Sequence, residues 1–160
     1  MKRKNNISVQ SRGVSVSTAQ RKFTLEVLSK LVEIEKAVFS GLNIMFCADK
    51  EMRYLNATYR KKNKPTDILT FCYEAGKQNN MYGDVAISVQ TAKRQAKQFK
   101  HTFKEELAVL LTHGIYHLMG YDHIKNNDYL RMKKKEEAAL KQLKQELFSR
   151  IRHKNTSEGA

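Results

Sequence analysis

Apolar residues along this chain occur both in short continuous runs and at helical spacing. Residues 42–48 form a nearly continuous apolar run, which is typical of a strand buried on both faces of a sheet. Shorter strand-like runs occur at 7–10, 67–73 and 84–89, and the polar loop between the last two suits an antiparallel pair. The pattern therefore predicts a small sheet of about four strands.

Helical spacing predicts two helices around the first strands. The first begins at a cap at Ser17 or Thr18 and runs to about residue 40, where Gly41 ends it. The second follows Asp49, which we expect to be its cap, and runs to the only proline of the chain, Pro65.

Three more helices are predicted in the second half of the chain. A basic helix covers about 91–100, and the capping box of Thr102 and Glu105 opens a helix that is apolar over most of its circumference. A last helix begins near residue 127 and reaches about 151. We therefore expect one α+β domain over 1–160, a small mixed four-stranded sheet covered by about five helices, with 1–5 and 153–160 flexible.

Charge adds a partner to this picture. Thirty Lys and Arg against sixteen Asp and Glu give a formal net charge of +14. Such a surface attracts a polyanion, most often nucleic acid, although some basic proteins have no such role. The chain has no long apolar run and no apolar segment after its basic start, so we expect no membrane span, no secretory signal and a cytoplasmic location.

The two cysteines and two of the histidines carry no ligand spacing. Cys47 and Cys72 each lie in an apolar, strand-like run, and we predict that both are core thiols. His101 and His153 are predicted to be exposed to solvent.

The other three histidines fall close together in the predicted central helix. His113 and His117 are four residues apart and share one helix face, and Gly120 can supply a left-handed turn that brings His123 back toward them. Three imidazoles with one position left for water are typical of a catalytic zinc site. The alternative is a set of partly exposed side chains without a metal.

This spacing also matches the metzincin zinc-peptidase pattern H-E-x-x-H-x-x-G-x-x-H, with one difference. The peptidase glutamate, its general base, would stand at position 114, and this chain has Gly114 there. A metzincin-like zinc metallopeptidase is therefore the second-ranked functional hypothesis.

The segment that contains the three histidines, residues 113–123, resembles the signature H-G-x-L-H-L-x-G-Y-D-H of the YbeY family. Members of this family are bacterial endoribonucleases that act in ribosomal RNA maturation. Two upstream stretches agree with the family in order and distance: residues 55–71, with Arg60 and the run Lys-Pro-Thr-Asp-Ile-Leu-Thr-Phe, and residues 83–88. The departures are Tyr116 in place of Leu, which should alter only packing, and Cys72 where many members have Pro.

The resemblance implies one Zn²⁺ per chain, held by His113, His117 and His123, with Arg60 as the functional arginine. It also implies cleavage of single-stranded RNA, maturation of the small-subunit ribosomal RNA 3′ end and ribosome quality control. The implied partners are ribosomal RNA, the ribosome and ribosome-associated proteins, with no membrane and no DNA.

Several roles stay open at this point. Arg60 lies in a run of lysines, so a solvated helix end is the alternative to catalysis. Asp122 can support a ligand, act as a general base or shape the turn, and the base role is the least favoured. The nucleophile is either zinc hydroxide or the ribose 2′-hydroxyl. A metal-stabilised RNA-binding assembly factor without turnover is a further alternative.

Minor positions complete the predictions. Thr66, Asp67 and Asp84 are expected to fix loop geometry, and Tyr121 is expected to pack.

Overall fold

The structure, a computed structural model, describes residues 4–75, 80–121 and 126–148. Its elements in chain order are β1 (Ile7–Arg12), α1 (Thr18–Glu35), β2 (Val38–Cys47), α2 (Asp49–Arg60), β3 (Ile68–Ala75), β4 (Asn80–Ser88), α3 (Val89–Gln98), α4 (Phe103–Leu118), α5 (Asn126–Leu143) and the π-helical segment Lys144–Phe148. The predicted α+β class is confirmed. No helix in the described ranges is long and apolar enough to cross a membrane.

The four strands form one mixed sheet in the order β1-β2-β4-β3. Strand β2 is parallel to both β1 and β4, whereas β3 and β4 are antiparallel, as predicted. Strand β3 is therefore an edge strand, so one side of its backbone is available to groups from other elements.

The two faces of the sheet are covered unequally. Leu42, Ile44 and Phe46 of β2 point into the main core, which α1, α4 and α5 complete. On the opposite face, Met45 packs with Met52 of α2 in a smaller cluster. Because α2 is shorter than α1 and α4, it leaves part of this second face of the sheet open.

Two helix ends differ from the sequence predictions. The first helix ends at Glu35, because Lys36 adopts a left-handed conformation with φ 50°, and residues 38–41 belong to β2. The aromatic Phe39 is fully buried in this strand extension, where helical spacing had suggested a longer helix. The second helix ends before Lys61, which has φ 57°, and not at Pro65.

The side chain of Asp49 does not cap α2 but joins the start of this helix to the end of β4 and the start of α3. Ala48 is the N-cap, so the prediction of Asp49 as cap is wrong. The Asp49 carboxylate instead accepts hydrogen bonds from the Ser88 and Thr91 hydroxyls at 2.6 and 2.7 Å and pairs with Arg94 at 2.7 Å. These contacts hold the start of α2 against α3.

Candidate active site at the edge of the sheet

Helix α4 lies directly on the sheet because one of its residues has no side chain. The capping box predicted at Thr102 and Glu105 is present at its start. A Cβ at Gly114 would stand 2.9 Å from Ile68 Cδ1 and 3.3 Å from Thr70 Cγ2, so only glycine allows this approach without a shift of these side chains. The contact brings His113 and His117 to the edge strand.

The two imidazoles of this helix converge on one point. His113 Nε2 and His117 Nε2 are 3.0 Å apart, and the ring planes are inclined by 77°. Two ring nitrogens at this distance either share one proton or bind one metal ion. The i, i+4 pairing predicted from the sequence is confirmed.

The opposite nitrogen of His113 is held by a residue that sequence analysis missed. His113 Nδ1 lies 2.8 Å from Oε1 of Glu136 in α5. A carboxylate at Nδ1 favours the tautomer with its proton on Nδ1, which leaves the Nε2 lone pair directed toward His117. No local spacing relates Glu136 to the histidines, so only the packing of α5 on α4 reveals it.

A buried hydrogen-bond network sets the position of α5 at this point. The hydroxyl of the fully buried Tyr116 donates to Glu35 Oε1 at 2.6 Å, and Lys135 Nζ pairs with Glu35 Oε2 at 2.9 Å. Burial and the Glu35 carboxylate raise the pKa of Tyr116, so it stays a neutral donor. Tyr116 therefore links three helices beside the histidines, which is more than the packing role predicted for it.

The turn after α4 has the geometry predicted for it. Gly120 has φ 96°, its N–H donates to His117 O at 3.0 Å, and Tyr121 N–H donates to Tyr116 O at 3.1 Å. This is a Schellman motif, and the ring of Tyr121 packs on that of Tyr116, as its predicted packing role requires. The predicted residues Asp122 and His123 follow this turn and lie outside the described residues.

Arg60 reaches the same place from the other side of the sheet. Its Nη2 donates to the carbonyl oxygen of Thr70 in the edge strand at 3.0 Å, and its guanidinium lies 5.5 Å from the centroid of the Phe71 ring. A cleft of about 230 Å³ is lined by Arg60, Ile68, Leu69, Thr70, His113 and His117. We call it the edge cleft. It unites three of the predicted site residues.

Two predictions for other residues need correction. Cys47 is buried, but Cys72 is exposed, because it lies in the edge strand beside a β-bulge. His101 is partly buried and contacts the buried Glu106 at 2.5 Å, so it is not a solvated side chain; His153 lies outside the described residues.

The polar residues assigned to loops divide into two groups. Asp67 accepts the Ile68 N–H at 2.7 Å and the Thr66 hydroxyl at 3.2 Å, as a loop role requires. Asp84, in contrast, lies within β4 and accepts hydrogen bonds from Asn43 and Tyr73.

The histidine pair meets the main requirement of a zinc or similar site. Zinc–nitrogen bonds of about 2.0–2.1 Å in a tetrahedral arrangement place two imidazole nitrogens about 3.3 Å apart, close to the separation seen between the two Nε2 atoms. The carboxylate on His113 Nδ1 is the outer contact that metal-binding histidines commonly have. Within the described ranges no group of three or more His, Cys, Asp or Glu side chains could hold a metal ion. The predicted third ligand, His123, lies outside those ranges.

Two converging imidazoles and a guanidinium that is hydrogen-bonded to the edge strand thus line one open cleft of this α+β domain. Comparisons with known proteins identify the family. The family model described as Endoribonuclease YbeY matches residues 6–144. The chain belongs to this family of endoribonucleases.

Individual relatives agree with this assignment. The endoribonuclease YbeY of Alkaliphilus metalliredigens is 35% identical over 149 residues, which cover 81% of this chain and 96% of the relative. That of Aquifex aeolicus is 37% identical over 150 residues, 89% of this chain and 93% of the relative. A solution structure of a Thermotoga maritima protein is similar with a TM-score of 0.66 and 27% identity, and the match covers 96% of each chain.

Proposed function

We propose that this protein is a cytoplasmic, metal-dependent endoribonuclease that cleaves single-stranded RNA. The observation that carries the proposal is the edge cleft, which Arg60 lines together with His113 and His117, whose Nε2 atoms converge. A surface with net charge +14 supports an RNA substrate, because it attracts phosphates regardless of sequence.

We propose zinc as the metal, one ion per chain, with His113, His117 and His123 as its ligands. When bound, such an ion would act as a Lewis acid toward a phosphoryl oxygen and favour ionisation of a hydroxyl group. Asp122 stays a proposed helper next to the third ligand, either as an outer contact or as a base.

The roles of the protein groups follow from their contacts. One N–H of the Arg60 guanidinium is used by Thr70 O, which fixes the plane of the group, and the remaining donors can pair with two oxygens of the scissile phosphate. A fixed positive charge there stabilises the negative charge that grows on the phosphoryl oxygens in the transition state. Glu136 positions His113. The attacking group is either water or the ribose 2′-hydroxyl.

The preference for single strands is supported by the depth of the site. The His113 side chain is only 29% exposed, and the edge cleft lies between α2 and α4. A flexible single strand can bend to bring one phosphate into such a cleft, whereas a stiff duplex holds its phosphates on a regular cylinder. Maturation of the small-subunit ribosomal RNA 3′ end, ribosome quality control and ribosome-associated partners are proposed from the family resemblance.

The geometry disfavours the peptidase alternative. The position of the peptidase glutamate, Gly114, faces the sheet, where even a Cβ would contact Ile68 and Thr70. A glutamate there would have to displace these two side chains, and the chain has glycine at that point of the helix.

The decisive experiment compares RNA with protein as substrate. Purified protein is incubated with single-stranded RNA and, separately, with casein, with and without a chelator and beside a His117→Ala variant. A His101→Gln variant is the matched control, because His101 lies away from the edge cleft. We expect RNA cleavage that the chelator and His117→Ala abolish and His101→Gln retains. Casein digestion lost in His117→Ala, with intact RNA, would establish the peptidase instead.

A further inference from the structure

A second cleft, of about 380 Å³, lies on the open face of the sheet. Tyr59 of α2 and Phe71 and Tyr73 of β3 line it, together with Asn43 and Asp84 of the neighbouring strands. We call it the aromatic cleft. Its volume lies in the range of sites that bind small molecules, and the reaction proposed above makes no use of it.

The aromatic cleft adjoins the edge cleft where Arg60 of one contacts Phe71 of the other. The Phe71 ring lies 5.1 Å from that of Tyr59, at an angle of 67°, and the guanidinium of Arg60 lies over the same Phe71 ring at 5.5 Å. A phosphate paired with Arg60 would therefore have the aromatic cleft immediately beside it. Whatever is covalently attached to that phosphate can reach these rings.

The outer ring of the cleft is held in place and is open to solvent. Tyr73 stands at a β-bulge of the edge strand, where β3 and β4 lose register between Cys72 and Glu74. Its hydroxyl donates to Asp84 Oδ2 at 2.5 Å, and this hydrogen bond, with partial burial, raises the pKa of Tyr73 to about 12. The residue is 56% exposed, so a fixed aromatic surface faces solvent.

The floor of the cleft is acidic in a strongly basic protein. Ser8 donates to Asn43 Oδ1 at 2.5 Å, and Asn43 Nδ2 donates to Asp84 Oδ1 at 2.8 Å, so the carboxylate is part of a hydrogen-bonded row across the sheet. A carboxylate repels phosphate, but it accepts hydrogen bonds from the exocyclic amino groups of bases. Asp84 has accepting capacity beyond the two bonds that it makes.

We propose that the aromatic cleft is a nucleobase subsite, which stacks a base adjacent to the scissile phosphate on Tyr73 and Tyr59 and favours bases with an amino group over uracil. This inference rests on the proposed RNA substrate. Aromatic side chains stack with any base, and single-strand-binding proteins commonly combine such rings with a basic path for the backbone. The acidic floor then adds the preference for cytosine, adenine or guanine.

Binding measurements test the stacking. RNA affinity is measured by fluorescence anisotropy in a His117→Ala background, which keeps the RNA intact, with Tyr73→Ala and Tyr73→Phe added in turn. Tyr54→Ala is the matched control, because Tyr54 is a 64% exposed tyrosine of α2 that does not line the cleft. We expect Tyr73→Ala to weaken binding about 10-fold, Tyr73→Phe to weaken it less because the ring remains without its hydrogen bond to Asp84, and Tyr54→Ala to stay near the parent value.

Photocrosslinking tests the position without any substitution. Single-stranded RNA that carries 5-iodocytidine or 5-iodouridine is irradiated with wild-type protein, and the attached residues are mapped by mass spectrometry. Attachment to Tyr73 or Tyr59, with a higher yield from the cytidine, is expected. The subsite is refuted if neither tyrosine is attached, and its base preference is refuted if the two bases react equally.

The two proposals can fail separately. RNA cleavage with equal affinity of the Tyr73→Ala and Tyr54→Ala variants would refute the subsite and leave the endoribonuclease proposal standing. Crosslinks at Tyr73 in a protein that never cleaves RNA would refute the catalytic proposal and leave the subsite standing.

Discussion

The Nδ1 atom of His113 lies 2.8 Å from Oε1 of Glu136, which places a carboxylate of α5 behind an imidazole of α4. The pair joins two helices that the sequence does not relate by any local spacing. It also favours the tautomer in which the Nε2 lone pair faces His117.

Replacing this carboxylate should weaken metal binding. Glu136→Ala is expected to lower zinc affinity about 10- to 100-fold, because the ring of His113 loses the group that orients it, and Glu136→Gln should have a smaller effect. Affinity is measured by competition with a chromophoric chelator. Glu137→Gln, at an exposed neighbouring position, is the control, and equal affinities of the Glu136→Ala and Glu137→Gln proteins would disprove the positioning role.

Arg60 should act on the rate of cleavage more than on RNA binding. Arg60→Lys is expected to lower the single-turnover rate at saturating enzyme by about 10²-fold, because an ammonium cannot reproduce the two-oxygen contact. Lys62→Ala is the control for loss of one surface charge; Lys61 is avoided because its φ of 57° would mix charge with backbone strain. A saturated Arg60→Lys enzyme as fast as wild type would reduce Arg60 to a part of the binding surface.

The close contact at Gly114 should appear as an energetic coupling. Gly114→Ala gains about 1 kcal/mol of helix propensity, but its Cβ meets Ile68 Cδ1, which offsets that gain. Ile68→Val removes this Cδ1 atom. In the Ile68→Val background Gly114→Ala should therefore be more favourable by about 1 kcal/mol than in wild type, measured by urea unfolding. If the two substitutions change the free energy of unfolding by strictly additive amounts, the contact between position 114 and Ile68 is contradicted.

The two thiols should react at very different rates. Burial raises the pKa of Cys47 to about 11, so almost none of it is thiolate at about pH 8, whereas Cys72 is exposed. A chromogenic disulfide reagent should modify one thiol of the native protein rapidly. The Cys72→Ser variant should react only when the chain unfolds, because Cys47 has no exposed surface. Fast reaction of native Cys72→Ser at about pH 8 would contradict the burial of Cys47.

Local patterns predicted much of this molecule. The four strands, the antiparallel pair, the capping box of α4 and the turn at Gly120 all follow from alternation, capping and glycine rules that act over a few residues. The first helix was overextended because its apolar spacing continues past Lys36, and only the pairing of Phe39 with Met81 shows that the strand has begun.

Site residues could be predicted from local spacing only where they lie in the same helix or strand. His113 and His117 share a helix turn, so their spacing sufficed, and Arg60 was identified from the family resemblance. Glu136 and the aromatic cleft depend on packing between elements far apart in sequence, and Cys72 depends on the position of β3 at the edge of the sheet. No local pattern contains that information.

The most direct test of the central proposal is the site of cleavage on one RNA that contains both a stable duplex and a single-stranded tail. Single-turnover reactions with wild type, His117→Ala and His101→Gln are resolved by gel electrophoresis, and the product ends are mapped. We predict cuts confined to the tail, made by wild type and His101→Gln and absent from His117→Ala. Equal cutting by the His117→Ala protein, or cuts within the duplex, would contradict a single-strand-specific endoribonuclease whose active site is the edge cleft.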